Sequence, residues 1–195
     1  MKFKIIILAS ILSFLNADLI NDKFEKPTNI ASTTTAKKPR KLSIKEATLI
    51  AINKIRTTPQ ICSNPVSPLV WNDRLYQIAK EHSIDMAIHN FASHQGSGKK
   101  SDLTAQRLKL NRGSFFYERV NQKKDSNEIL SAELVTAVNK HYYKTPAQIL
   151  NYWIKSKENC KIIMDPRFSD VALSKVISNK TNKAYWTLLL IGKRK

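Results

Sequence analysis

The sequence predicts an α+β sandwich, with helices packed around a short antiparallel sheet. Three observations carry that reading. Helix-end chemistry with apolar residues at helical spacing appears at Ser43, Asn72 and Thr145. Beyond Pro166 the apolar pattern changes to period two. Residues 42–195 have the length of one domain around one core.

The first helix opens at Ser43-Ile44-Lys45-Glu46, a capping box in which serine and glutamate each close a free backbone amide. Ile44, Ala47, Ala51, Ile52 and Ile55 share one face, and Pro59 ends the segment. A loop with Cys62, Pro65 and Pro68 leads to a second helix capped by Asn72. Its inward stripe reads Leu75, Ile78, Ala79, His82, Met86 and His89. Gly96 and Gly98 follow His94 and mark a turn that needs positive backbone angles or a close approach. Gly113 marks another turn. Ile129, Leu130, Leu134 and Val138 predict a helix over 127–140. Thr145-Pro146 supplies an N-cap and a first-turn proline for a further helix that turns Ile149, Leu150 and Trp153 inward. Val171, Leu173 and Lys175 then alternate with Ala172, Ser174 and Val176. The apolar run Ala184 to Ile191 completes a hairpin whose loop is residues 178–182. Trp71, Trp153 and Trp186 read as core residues.

The N-terminus points to export. Lys2 and Lys4 precede an apolar run from Ile5 to Leu15, and Asn16-Ala17 offers a small-residue cleavage position. This reads as a secretory signal peptide over 1–17, the alternative being an uncleaved anchor. Residues 18–41 hold few large apolar side chains and a basic run at Lys37-Lys38-Pro39-Arg40-Lys41, and read as a flexible basic linker. An exported chain with only Cys62 and Cys160 is expected to join them in one disulfide, the alternative being two buried thiols. The whole chain carries +18, and loss of Lys2 and Lys4 with the signal takes this to +16. Outside the cytoplasm the anionic partners are lipid headgroups, polyanionic glycans and cell-wall polymers, so no specific nucleic acid is expected.

Several segments, in order, resemble the CAP superfamily of cysteine-rich secretory, antigen 5 and pathogenesis-related proteins, and most of all its bacterial secreted SCP-like members. Pro68-Leu69-Val70-Trp71-Asn72 and Leu75 resemble the family's PLxWNxxL opening of the second helix, and Ala79 to Ala87 its AxxHSxDMA. Phe91-Ala92-Ser93-His94 is similar to FxSH, Glu118-Arg119-Val120 to (D/E)RI, and Tyr185-Trp186-Thr187 to YWT. Trp153, Ser156, Cys160, Ile163, Met164 and Pro166 are similar to the segment that closes the family's helical half.

The resemblance implies a three-layer α-β-α sandwich. It also implies a cleft lined by two histidines and acidic residues, which in some members holds a divalent metal. His94 matches the first cleft histidine. Two residues compete for the cleft acid, Glu133 and Glu118, and Glu133 is favoured by its distance from Arg119. Asn159 stands where the second histidine belongs, and a neutral amide is a poor transition-metal ligand. No cofactor is therefore expected. A zinc site would have to draw on His94, Glu133 and Glu158, or on His141. His82 reads as structural, and His89 as structural or exposed.

No complete catalytic set is visible. Ser93 adjoins His94, but adjacent residues do not make a productive dyad, and no second acid is well placed. The sequence thus predicts a secreted, periplasmic or extracellular, non-catalytic binding module. It would be a monomer attached peripherally, engaging an anionic surface, cell-wall polymer or lipid. The alternatives are a secreted peptide or glycan hydrolase using His94 with Glu133 or Glu118, and a host- or cell-interaction protein with a vestigial cleft.

Overall fold

The structure, a computed structural model, describes residues 40–122 and 130–192, all within the compact unit Arg40–Lys195. The signal-peptide reading and the linker reading up to Pro39 lie outside the described residues.

Helix α1 (Ile44–Arg56) starts at the expected capping box: the Glu46 amide donates to Ser43 Oγ at 3.2 Å and the Ser43 amide to Glu46 Oε2 at 2.9 Å. Helix α2 (Asp73–His89) is capped by Asn72, whose Oδ1 accepts from the Leu75 amide. Leu75, Ile78, Ala79, His82 and Met86 are buried along it, but His89 is exposed in the last turn, where Nε2 meets Ser101 Oγ at 2.9 Å. The inward stripe therefore stops one turn before His89. Two short helices follow, α3 (Leu103–Arg107) and α4 (Phe116–Asn121). Helix α5 (Pro146–Trp153) has Thr145 as N-cap and Gln148 completing a second capping box. Helix α6 (Lys157–Ile163) is capped by Ser156.

The sheet runs in the order β1 (Val70–Trp71), β3 (Phe168–Ser178), β4 (Lys183–Gly192), β2 (Leu130–Asn139). Strands β3 (Phe168–Ser178) and β4 (Lys183–Gly192) form the expected antiparallel hairpin, with Leu173 opposite Leu188. Asn182 in its turn has φ 55°, a left-handed conformation that asparagine tolerates. The two-residue β1 (Val70–Trp71) adds in parallel to the edge of β3.

The helix expected over 127–140 is corrected. Residues Leu130–Asn139 are strand β2, antiparallel to β4, with Leu134 opposite Leu188. The reason is arithmetic. Leu130, Leu134 and Val138 are four residues apart, and four fits both a helical turn and two pleats of a strand. Ile129 lies outside the described residues.

Alternation across the pleat separates two layers. Leu134, Leu173, Leu188 and Trp186 pack with Ile52 of α1, Leu150 of α5 and Ile163 of α6. The opposite face puts Ala172 and Leu189 against Leu75, Ile78 and Ala79 of α2 and Val120 of α4. Helices thus cover both faces of the sheet, a three-layer α-β-α arrangement. Trp153 and Trp186 are buried core residues, and half-buried Trp71 packs against Tyr76.

Two long-range ties close the α1, α5 and α6 side. Cys62 and Cys160 are disulfide-bonded across 98 residues, with a Cα–Cα separation of 6.0 Å. Arg56 is wholly buried, and its guanidinium donates to the carbonyls of Ser67 (2.8 Å), Ile163 (2.6 Å) and Asp165 (3.1 Å). Backbone oxygens at these distances satisfy a cation that burial would otherwise penalise.

Candidate functional site

The loop that carries His94 is built around one buried carboxylate. Asp102 Oδ2 accepts from the amides of Gly98 (3.1 Å) and Ser114 (2.8 Å), while Oδ1 accepts from Ser114 Oγ (2.6 Å) and the Ala105 amide (3.1 Å). Gly98 has φ 69°, so it supplies the left-handed turn that the sequence pattern asked for. Gly96 is needed for a different reason: a Cβ there would run into the Asp102 carboxylate. Loop 95–114 is thereby cross-braced, and His94 stands at its root.

Helix α4 and strand β2 bring the remaining groups. Glu133 faces away from the Leu134 side of β2, toward the α2 and α4 layer, and its side chain has no exposure. His94 Nδ1 lies 3.0 Å from Glu133 Oε1, and Arg119 Nη2 donates to Glu133 Oε2 at 2.8 Å. Arg119 also donates to the carbonyls of His94 (2.9 Å) and Ser114 (2.8 Å). A carboxylate only accepts, so Nδ1 of His94 carries the proton that it shares with Glu133. Nε2 makes no hydrogen bond among the described residues, on a side chain that is 57% exposed.

The electrostatics follow from this geometry. The hydrogen bond to Glu133 holds the His94 imidazole above its ordinary range, against partial burial and the Arg119 charge. Burial pushes the Glu133 carboxyl up, but Arg119 and then His94 outweigh it, and the net direction is down. His82 goes the other way. Burial, reinforced by Arg119, lowers it to about 4, so it is neutral and donates from Nε2 to the Ser93 carbonyl at 2.8 Å. His82 is a brace for the His94 loop.

The other sequence-derived candidates fall elsewhere. Glu118 closes the first turn of α4, accepting from the Phe115 amide at 2.8 Å, and forms a two-pronged pair with Arg112 at 2.8 and 2.7 Å. Asn159 lies in the first turn of α6, on the layer opposite Glu133, and has no hydrogen bond to His94 or Glu133 among the described residues. Glu158 is exposed and takes a hydrogen bond from Ser156 Oγ at 2.9 Å. His141 is exposed in the turn after β2. The structure therefore joins His94 to Glu133, and joins neither to Glu118, Asn159, Glu158 or His141. Arg119 is the participant that was not singled out as a site residue. Its (D/E)RI context was visible, but its pairing with a strand 14 residues on was not.

This donor set does not fit zinc. His94 and Glu133 supply two donors, one Glu133 oxygen is already paired with a guanidinium, and a zinc site takes three or more protein ligands. Among the described residues, no three His, Cys, Asp or Glu side chains come together as metal ligands. What the cluster can do is present an oriented, protonatable imidazole to solvent. No hydroxyl, thiol or second carboxylate is hydrogen-bonded to His94 among the described residues.

Comparison with known proteins is consistent with this architecture. A family model, that of the cysteine-rich secretory protein family (CAP), matches residues 49–190. Among curated proteins none matches the sequence. An outer surface protein of Borrelia burgdorferi has a similar fold, with a TM-score of 0.53 and 17% identity over 80% of this chain and 98% of that one. An extracellular SCP-domain protein of Bacillus anthracis aligns with a TM-score of 0.45 and 20% identity, over 66% of this chain and 35% of that one. A cysteine-rich secretory protein of Staphylococcus aureus aligns with a TM-score of 0.41 and 11% identity, over 80% of this chain and 42% of that one.

Proposed function

This chain belongs to the cysteine-rich secretory protein (CAP) family, and from that premise we propose that it is a secreted, non-catalytic binding module for an anionic envelope or extracellular surface. The observation that carries the reading is the closure of Glu133. Its side chain has no exposure and its two oxygens accept from His94 and Arg119, so the carboxylate orients an imidazole and does not itself face solvent. A hydrolase would need a nucleophile or activated water beside His94 Nε2, and no side chain among the described residues is hydrogen-bonded to that nitrogen.

Charge supports the choice of partner. A secreted chain at +16 is drawn to anionic headgroups and acidic polymers, and the basic run before Ser43 concentrates part of that charge. The cysteine bridge and the apolar N-terminal run support export to a compartment where such surfaces are met. No helix among the described residues is long and apolar enough to cross a membrane, which accords with peripheral attachment of this domain.

The test is cosedimentation of the secreted chain with phosphatidylglycerol vesicles and with purified cell wall, as a function of sodium chloride. The expected result is strong binding at low salt that falls steeply as screening shortens the reach of each charge. Binding that ignores salt, or no binding at low salt, contradicts the reading.

A further inference from the structure

The described residues include a cavity of about 520 Å³ far from any use made of the chain so far. It opens between the turn after β2 and the outer face of α5, on the sheet layer opposite Glu133. Tyr142, Tyr143, Lys144, Asn151, Tyr152 and Lys155 line it. We propose that this cavity binds an acidic oligosaccharide.

Three features of the wall select that class. The first is an aromatic surface. Tyr143 and Tyr152 pack with ring centroids 4.8 Å apart and planes inclined at 32°, and Tyr143 is anchored against the core. Tyr152 and Tyr142 are 43% and 68% exposed, an unusual area of tyrosine to leave in water. Flat, partly apolar rings with a hydroxyl at the rim match the C–H face and the hydroxyls of a pyranose. The second feature is charge without compensation. Lys144 and Lys155 have no ion pair among the described residues, and no Asp or Glu lines the cavity. Lys175 comes up from β3 and donates to the Lys144 carbonyl at 2.9 Å, which fixes the backbone of this rim, while its ammonium stands over the Trp186 ring. The third is free amide chemistry. The Asn151 side chain makes no hydrogen bond among the described residues, whereas Gln148 Oε1 is taken by the Thr145 amide of the capping box at 3.1 Å and by the Lys144 amide at 2.7 Å.

The cavity volume lies within the roughly 300–1,000 Å³ of small-ligand sites. An acyl chain would find no long apolar groove here, and a bare inorganic anion would leave the tyrosine faces uncovered. A sugar carrying carboxylate or sulfate uses all three features together. The assignment is independent of the His94 cluster, which lies on the other layer of the fold.

The probe is digalacturonate, compared with a neutral galactose disaccharide and with sodium sulfate, followed by amide chemical shifts and by calorimetry on the secreted chain. Digalacturonate is expected to shift amides within residues 141–155 and to bind more tightly than either control. Tyr152→Ala should weaken it about tenfold, the loss expected for one aromatic contact, while Tyr152→Phe keeps most of the affinity. Lys155→Gln should weaken digalacturonate but leave the neutral disaccharide unchanged. Tyr152→Ala should still sediment with anionic vesicles as the wild type does, which confirms folding and separates this proposal from the surface-binding one. Equal binding of sulfate or of the neutral sugar, shifts confined to other residues, or Tyr152→Ala binding as tightly as wild type would each overturn the assignment.

Discussion

Replacing Glu133 with Ala is expected to destabilise the domain by roughly 3–5 kcal/mol, the range for removing one partner of a buried ion pair. Arg119 is only 3% exposed and would keep its charge with no carboxylate hydrogen-bonded to it among the described residues. Its hydrogen bonds to the Ser114 and His94 carbonyls would remain, but these neutral acceptors do not replace a carboxylate. For a domain of this size the loss corresponds to a fall in Tm on the order of 10 °C. Glu133→Gln keeps the shape and an acceptor oxygen, and should fall between wild type and Ala. Urea unfolding followed by circular dichroism measures both. A loss below about 1 kcal/mol for Ala would mean that Arg119 is not held by Glu133 as the structure has it.

Opening the disulfide should cost a comparable amount. The Cys62–Cys160 bond closes a 98-residue loop. The chain-entropy model gives roughly 4–5 kcal/mol for closing a loop of that length. Cys160 also lies in the core between α1, α5 and the sheet, so Cys62→Ala with Cys160→Ala removes some packing as well. Arg56 ties the same two regions through Ser67 and Ile163, so a native-like folded state is expected to survive reduction with a lowered midpoint. Unfolding with and without reductant decides this. Equal midpoints would show that Arg56 and the core already hold this side closed without the bridge.

How much was legible in the sequence depended on the range of the interaction. The caps at Ser43, Asn72 and Thr145 were readable because a cap is completed within three residues. The β3–β4 hairpin was readable because both strands are long and Asn182 sits at its turn. Helices α3, α4 and α6 are five, six and seven residues long, too short for apolar periodicity to show. Strand β2 was misread because its apolar residues recur at an interval that two periods share. The site divides in the same way. His94 and its glycine turn were visible locally, and Glu133 was favoured over Glu118 by counting along a motif. That Glu118 serves as a cap and a partner for Arg112, and that Arg119 reaches across to β2, are facts of tertiary placement. No local pattern encodes them.

Glu133 holds a proton on Nδ1 of His94 while Arg119 occupies its other oxygen. The linkage has a definite sign. His94 is raised on folding, so its contribution to stability is full below its ordinary 6.5 and is lost as pH rises through the folded value. Glu133 is lowered, so its contribution is present above its ordinary 4.5 and is lost as pH falls through the folded value. Between those two ordinary values both ends of the pair are charged and both contribute. The most direct measurement is an NMR pH titration of the His94 ring protons in the intact domain, without and with zinc. The expected midpoint lies above 6.5 and does not move with zinc. A midpoint at or below 6.5, or one that zinc drives downward, would mean that Glu133 does not hold the His94 proton as the structure has it.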